Sequence, residues 1–136
     1  MVNRMGVVLV VEDEAVIALD MEATVFSLGY ESVHLAYSLD GAREFLKDNV
    51  PVFALLDVNL GHEQVFPLAD ELRERKIPVV FATARAKSSF PPEWASSPIL
   101  QKPLGLNALA NALRTLGVMT NDADDSSAPR SYGFGA

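Results

Sequence analysis

Residues 51–61 read PVFALLDVNLG. The apolar run Pro51–Leu56 is short and stops at a carboxylate, Asp57. A short apolar run with no polar alternation reads as a strand buried on both faces, the kind found in parallel sheets covered by helices. Two further runs share this character. Gly6–Val11 (GVVLVV) leads into Glu12, Asp13 and Glu14, and Pro78–Thr83 (PVVFAT) ends in a hydroxyl. Weaker strand signals lie at Ser32–Ala36 and Pro98–Leu100.

Between these runs the spacing of apolar residues becomes helical. Helices are expected over Glu14–Leu28 with Gly29 as a stop, Leu39–Asp48, Glu63–Arg75, and Leu104–Leu116 with Gly117 as a stop. The last carries Leu106, Leu109, Leu113 and Leu116 on one stripe. Strands that alternate with helices imply βαβ crossovers. The expected fold is therefore α/β: a doubly wound, five-stranded parallel sheet of flavodoxin-like type. Between Arg85 and Ser97 the adjacent Pro91 and Pro92 oppose a regular helix, so the fourth helix should be shortened or distorted.

Composition narrows the function. The 136 residues are 49% hydrophobic and 21% charged, which fits one globular domain rather than a disordered chain. There is no cysteine, which excludes disulfides, cysteine–zinc sites and thiol catalysis. A net charge of −7 disfavours a nucleic-acid partner, because the surface repels phosphate backbones. No apolar run approaches the roughly 18 residues of a membrane span, and the N-terminus lacks the features of a signal peptide. A cytoplasmic protein with no membrane partner is expected. Residues 1–118 should form the single domain. Residues 119–136 are small, polar and acidic, and are expected to form a disordered tail.

In an open parallel sheet, sites form beyond the C-terminal strand ends. Those ends here carry Glu12 and Asp13, then Asp57 followed by Asn59, then Thr83, then Lys102-Pro103. Two carboxylates about 4 Å apart at an effective dielectric near 20 repel by about 4 kcal/mol, so either their pKa values rise or a cation joins them. Carboxylate and carbonyl oxygens suit Mg²⁺. A lysine adds a point charge for a phosphoryl oxygen, and a threonine adds a hydroxyl donor. A carboxylate nucleophile beside a divalent metal and a lysine makes a phosphoryl acceptor, with Asp57 as the nucleophile. Taken singly, each residue has a plainer reading: the acids could cap a helix and Asp57 could sit in a turn. Their convergence on one sheet edge favours the site.

These residues resemble the receiver domain of bacterial two-component response regulators. The similarity runs from about Gly6 to Gly117 through LVVEDE, LLDVNLG, FAT and QKPL. Steps of 44, 26 and 19 residues separate Asp13, Asp57, Thr83 and Lys102. The resemblance implies that a sensor histidine kinase or phosphotransfer protein phosphorylates Asp57. It implies Mg²⁺ held by Asp13, Asp57 and the backbone carbonyl of Asn59, with Glu12 acting through water. Thr83 and Lys102 would engage the phosphoryl oxygens. The domain would assist its own phosphorylation and dephosphorylation without being an enzyme on outside substrates. A shift between two conformations would then alter binding to a downstream protein target, in a monomer or a phosphorylation-dependent dimer, or phosphate would be relayed. With no output domain following, a stand-alone receiver is expected.

There are departures. Glu12 stands where many members have Asp. Ile99 stands three residues before Lys102, where an aromatic switch is usual. Phe81-Ala82-Thr83 is similar to a Phe-Ala-Thr-Gly-Tyr subfamily (the "FATGUY" regulators, some of them in stress responses), but Ala84-Arg85 follows instead. Arg85 and Asn59 are expected to tune the lifetime of the acyl phosphate.

One surface is expected as well. At 100° per residue, Ile17, Met21, Val25 and Leu28 form the core face of the first helix, while Val16, Leu19, Ala23 and Phe26 form a second apolar stripe nearly opposite. Leu19 and Phe26 should be exposed and form a partner surface for the kinase. His34 and His62 are expected to be structural or solvated, and Trp94 to be packed. Of the rival functions, an aspartate-nucleophile phosphatase needs a second acid two residues after its nucleophile, and Asn59 cannot move a proton in that role. A receiver-like module that binds proteins without phosphorylation is the other alternative.

Overall fold

In the computed structural model of the chain, residues 6–84 and 90–119 are described in full, and residues 131–132 and 134–135 by backbone alone. The tail and Arg85 otherwise lie outside the described residues. The packed core reaches Met119, whose amide donates to the Leu113 carbonyl.

Five strands form the central sheet: β1 (Val7–Val11), β2 (Ser32–Ala36), β3 (Phe53–Asp57), β4 (Val79–Thr83) and β5 (Ile99–Gln101). Their spatial order is β2-β1-β3-β4-β5, and every pairing is parallel. Three α-helices lie between them, α1 (Ala15–Ser27), α2 (Leu39–Leu46) and α3 (Phe66–Glu74), and a fourth, α4 (Leu106–Thr115), follows β5. This is the doubly wound flavodoxin-like fold.

The apolar runs explain the layering. Leu9, Val11, Ala54, Leu56 and Phe81 point to one face and pack with residues of α2 and α3. Val8, Val10, Phe53, Leu55 and Val80 point to the other and pack with α1 and α4. Because both faces are covered, β1, β3 and β4 carry apolar residues throughout except at the last residues of β3 and β4, Asp57 and Thr83, which reach the sheet edge. β2 lies at an edge and alternates exposed with partly buried residues until Ala36. α1 stops where Gly29 takes φ of 100° and donates its amide to the Phe26 carbonyl, which closes the last turn.

Several boundaries differ from the sequence reading. Glu63 does not begin a helix. Asn59–Leu60 and Glu63–Gln64 instead form a small antiparallel hairpin around Gly61 and His62, and α3 begins at Phe66 with Pro67 in its first turn. Proline there loses no helical hydrogen bond and presets the backbone, so it marks the start that the apolar pattern blurred. Leu104 precedes its helix, and Leu106, the first residue of α4, is exposed while Leu109 and Leu113 are fully buried. In the proline-bearing segment, the helix among the described residues is a single 3₁₀ turn, Pro92–Trp94. No helix among the described residues is long and apolar enough to cross a membrane.

Candidate functional site

The C-terminal ends of β1, β3 and β5 bring five of the predicted residues to one cavity of about 340 Å³: Glu12, Asp13, Asp57, Asn59 and Lys102. Register does this. Val11 pairs with Leu56, so Glu12 and Asp57 leave adjacent strands side by side. The Lys102 amide donates to the Thr83 carbonyl at 2.8 Å, which prolongs the β4–β5 ladder by one residue and fixes where the lysine side chain starts. Thr83 itself is buried beside the cavity, one position past Ala82, the register partner of Asp57. It is not among the lining residues.

One ligand atom each of Glu12, Asp13 and Asp57 lies within 4.8 Å of the others. Glu12 and Asp57 are buried, and Asp13 is exposed. Lys102 Nζ lies 2.8 Å from Glu12 Oε1 and 3.3 Å from Asp57 Oδ1. Asp57 Oδ1 also accepts from the Asn59 amide at 3.3 Å. Glu12 Oε2 accepts from the Glu14 amide at 3.1 Å. Glu14 occupies the N-cap position of α1 without a side-chain cap bond, so the acidic run is turned into the cavity rather than used to cap the helix.

The electrostatics match this crowding. Burial raises the Asp57 carboxyl above its ordinary value, against the pull of Lys102 and the Asn59 amide. Glu12 is raised for the same first reason, with Lys102 and the Glu14 amide opposing it and Asp57 adding to it. For Lys102, burial favours the neutral amine, but the two carboxylates outweigh it and the ammonium is raised. Three converging carboxylates with one ammonium leave two negative charges over. That oxygen-donor set fits a hard divalent cation, which would relieve the repulsion that burial has intensified.

Sequence reasoning missed three features. Gly61, at φ of 62°, turns the hairpin along the cavity rim, where an added Cβ would lie 3.8 Å from Asp13 Oδ2. Its signal was present: Gly-His between Leu60 and Glu63 is a turn pattern. Ile17 and Ala84 also line the cavity, and nothing in their types announces it. The third is an aromatic layer on the α2/α3 side of the sheet, below Thr83. The Phe81 ring lies 5.6, 5.3 and 5.3 Å from those of Phe66, Phe90 and Trp94. Trp94 is buried, as expected, and donates Nε1–H to Asp70 Oδ1 at 2.9 Å, with the Arg73 guanidinium 4.2 Å above its ring. Ile99 is partly buried, packs against the core on this face and is the strand partner of Phe81.

The expected stripe on α1 is exposed. Val16, Leu19 and Phe26 are 81%, 54% and 43% accessible, and Ala23 lies open among them. Met21 and Val25 are buried on the opposite side. His34 is exposed and stacks on Phe45, and His62 is exposed in the hairpin turn.

A parallel sheet of this order, with three acids and a lysine at its C-terminal edge, defines a class of phosphoacceptor signalling domains. Residues 8–114 match the response regulator receiver domain family, and the chain belongs to it. Among solved structures, it is similar to the solution structure of SdrG from Sphingomonas melonis Fr1, with 36% identity, a TM-score of 0.74, and coverage of 85% of this chain and 99% of that one. It is also similar to the PhyR stress response regulator, at 27% identity and a TM-score of 0.66, covering 80% of this chain and 43% of that one. A CheY-like receiver domain from Methylobacillus flagellatus, 20% identical with a TM-score of 0.72 and covering 82% of this chain and 98% of that one, shares the fold. Among curated proteins, none matches this chain.

Proposed function

We propose that this domain accepts a phosphoryl group on Asp57 from the phosphohistidine of a sensor kinase or phosphotransfer protein. The observation that carries this reading is Lys102 Nζ within 3.3 Å of the Asp57 carboxylate, in a cavity shared with Glu12 and Asp13. In the transfer, an Asp57 carboxylate oxygen bonds to phosphorus, the phosphorus–nitrogen bond breaks, and the electron pair leaves with the histidine ring. Lys102 and Thr83 stabilise the charge that gathers on the phosphoryl oxygens. Asp13, Asp57 and the backbone carbonyl of Asn59 would hold Mg²⁺, with Glu12 nearby; when bound, Mg²⁺ supplies charge neutralisation at those oxygens. Asn59 in place of an acid leaves no general acid/base two residues after the nucleophile, which favours an acyl phosphate that persists as a signal over turnover of outside phosphoesters.

Output follows from the protein surface that the modified domain favours. The neighbour PhyR, a stress response regulator, supports a role in stress-response signalling. The exposed stripe Val16, Leu19, Ala23 and Phe26 runs along α1, starting beside the cavity-lining Ile17, and is the surface through which the kinase would dock.

The test is intact-protein mass after incubation with acetyl phosphate and Mg²⁺. Wild type should gain one phosphoryl group and Asp57→Asn none. No gain in wild type would overturn the reading in favour of a module that binds partners without phosphorylation.

A further inference from the structure

The apolar stripe on α1 is bordered by charge of one sign. At 100° per residue, Asp20 falls on one side of Val16, Leu19, Ala23 and Phe26 and Glu22 on the other, and the helix carries no lysine or arginine. At its N-terminal end the stripe runs into a second cavity, of about 450 Å³, lined by Val16, Ile17, Asp20, Ala84, Lys102 and Pro103. Ile17, Ala84 and Lys102 also line the phosphoacceptor cavity. What fits this surface is an apolar group with a positive charge beside it.

The chain's own C-terminal residues have that chemistry. Residues 120–136 contain two aromatics, Tyr132 and Phe134, on either side of Gly133, and one base, Arg130, two residues before Tyr132. Their acids, Asp122, Asp124 and Asp125, lie five or more residues before Arg130. The chain also enters this stretch from the right place. Met119 is buried in the cluster that holds Met21 and Val25, on the core side of α1. From there the stripe lies around a single helix, about 10–12 Å across with its side chains. Tyr132 is thirteen residues beyond Met119, a reach of up to about 43 Å. A tether of this length gives an effective concentration on the order of millimolar, so a contact too weak to form between separate molecules is occupied within one. A second copy fits less well, because two α1 stripes face to face would bring acids to acids with no base on either helix.

We propose that the α1 stripe is a docking site for this chain's own residues 130–134, with Tyr132 and Phe134 covering the stripe from Val16 toward Phe26 and Arg130 paired with Asp20. The consequence rests on the reading of the stripe as the kinase surface: segment and kinase exclude each other, so a protein donor must displace the segment and a small donor such as acetyl phosphate need not. The docking itself is observable without phosphate.

The experiment uses the full chain. It contains no cysteine, so Ala136→Cys places a nitroxide at one position, and its effect is read on the methyl signals of Val16, Leu19 and Ala23. Val50, exposed on the connection between α2 and β3, is the reference. The stripe signals should lose several-fold more intensity than those of Val50. In the same labelled protein with Tyr132→Ala and Phe134→Ala, or with Arg130→Glu, the excess loss should shrink toward the reference. These substitutions lie beyond Met119, the last buried residue among those described, so the fold is common to every sample. No excess loss on the stripe, or a loss that the substitutions leave unchanged, would overturn the proposal. So would an equal loss in a mixture of isotope-labelled protein without nitroxide and unlabelled protein with it, which would place a second copy on the stripe. The acetyl phosphate assay reports separately on function. Phosphorylation of Asp57 without the stripe signal refutes the docking alone, and the stripe signal without phosphorylation refutes the phosphoacceptor reading and leaves the docking standing.

Discussion

The charged edge of the sheet and the aromatic layer beneath Thr83 occupy neighbouring parts of one small domain and are held by opposite physics. At the charged edge, burial works against the groups present: Glu12 and Asp57 are both pushed toward their neutral forms, and one lysine serves both. In the aromatic layer, burial is the stabilising force. Phe81 is fully buried among Phe66, Phe90 and Trp94, and the polar edge of Trp94 is satisfied by Asp70. The domain thus carries a site that burial disfavours beside a layer that burial stabilises. A site that must respond to phosphate and metal is expected to be the part that gives up stability.

That contrast can be broken by mutation. The largest effect should come from Phe81→Ala, which opens a cavity at the centre of the aromatic layer and should cost about 3–5 kcal/mol. Urea unfolding would measure this, and the loss should be nearly independent of pH because no titrating group is removed. A loss under about 1 kcal/mol would show that the layer is not the stable part.

Asp57→Asn should act in the opposite direction and more weakly, stabilising the metal-free domain by about 1 kcal/mol at neutral pH. The sign follows from the raised carboxyl. The folded state holds the Asp57 proton more tightly than the unfolded chain does. Wild-type stability therefore falls as pH rises through the interval between the ordinary value of 3.8 and the raised one. The asparagine variant escapes that loss, so its advantage should be present at neutral pH and shrink as the solution is acidified toward 3.8. Unfolding curves across this range would check it. An advantage that grows on acidification would mean that Lys102 overcompensates burial.

The smallest stability effect should be that of Phe26→Asp, within about 0.5 kcal/mol, since the ring is 43% exposed on the far side of α1 from Met21 and Val25. Its effect should appear in function instead. Phosphotransfer from the cognate kinase should slow, while the rate with acetyl phosphate stays unchanged. Equal kinase rates in variant and wild type would remove α1 from the docking surface.

The same contrast explains what the sequence made legible. Asp13, Asp57 and Thr83 could be located because each ends or follows a recognisable buried strand, and a strand end fixes position without any knowledge of packing; Lys102 follows only a weak strand signal and was located through its QKPL motif. The two stripes of α1 were legible for a similar reason, since helical periodicity alone separates them. The aromatic layer was not, because Phe66, Phe81, Phe90 and Trp94 meet only through tertiary packing, and no local period links residues from a helix, a strand and a proline-bearing loop. The strand ends placed Glu12 and Lys102 at one sheet edge, but their direct hydrogen bond, between residues 90 apart, comes only from tertiary packing. Glu63 and Gln64, the second strand of the hairpin, were misread as the start of a helix because the helical spacing of the residues that follow extends back over them, whereas Gly61 and Pro67 decide it.

The central claim is that Asp57 is the phosphoacceptor. It is tested most directly by treating the wild-type protein, phosphorylated with acetyl phosphate and Mg²⁺, with borohydride and sequencing its peptides by mass spectrometry. Borohydride reduces an aspartyl phosphate to homoserine and spares free carboxylates. The account predicts homoserine at position 57 and at no other aspartate. Homoserine at position 13, or an intact aspartate at 57 in protein that carries the phosphoryl mass, would contradict it.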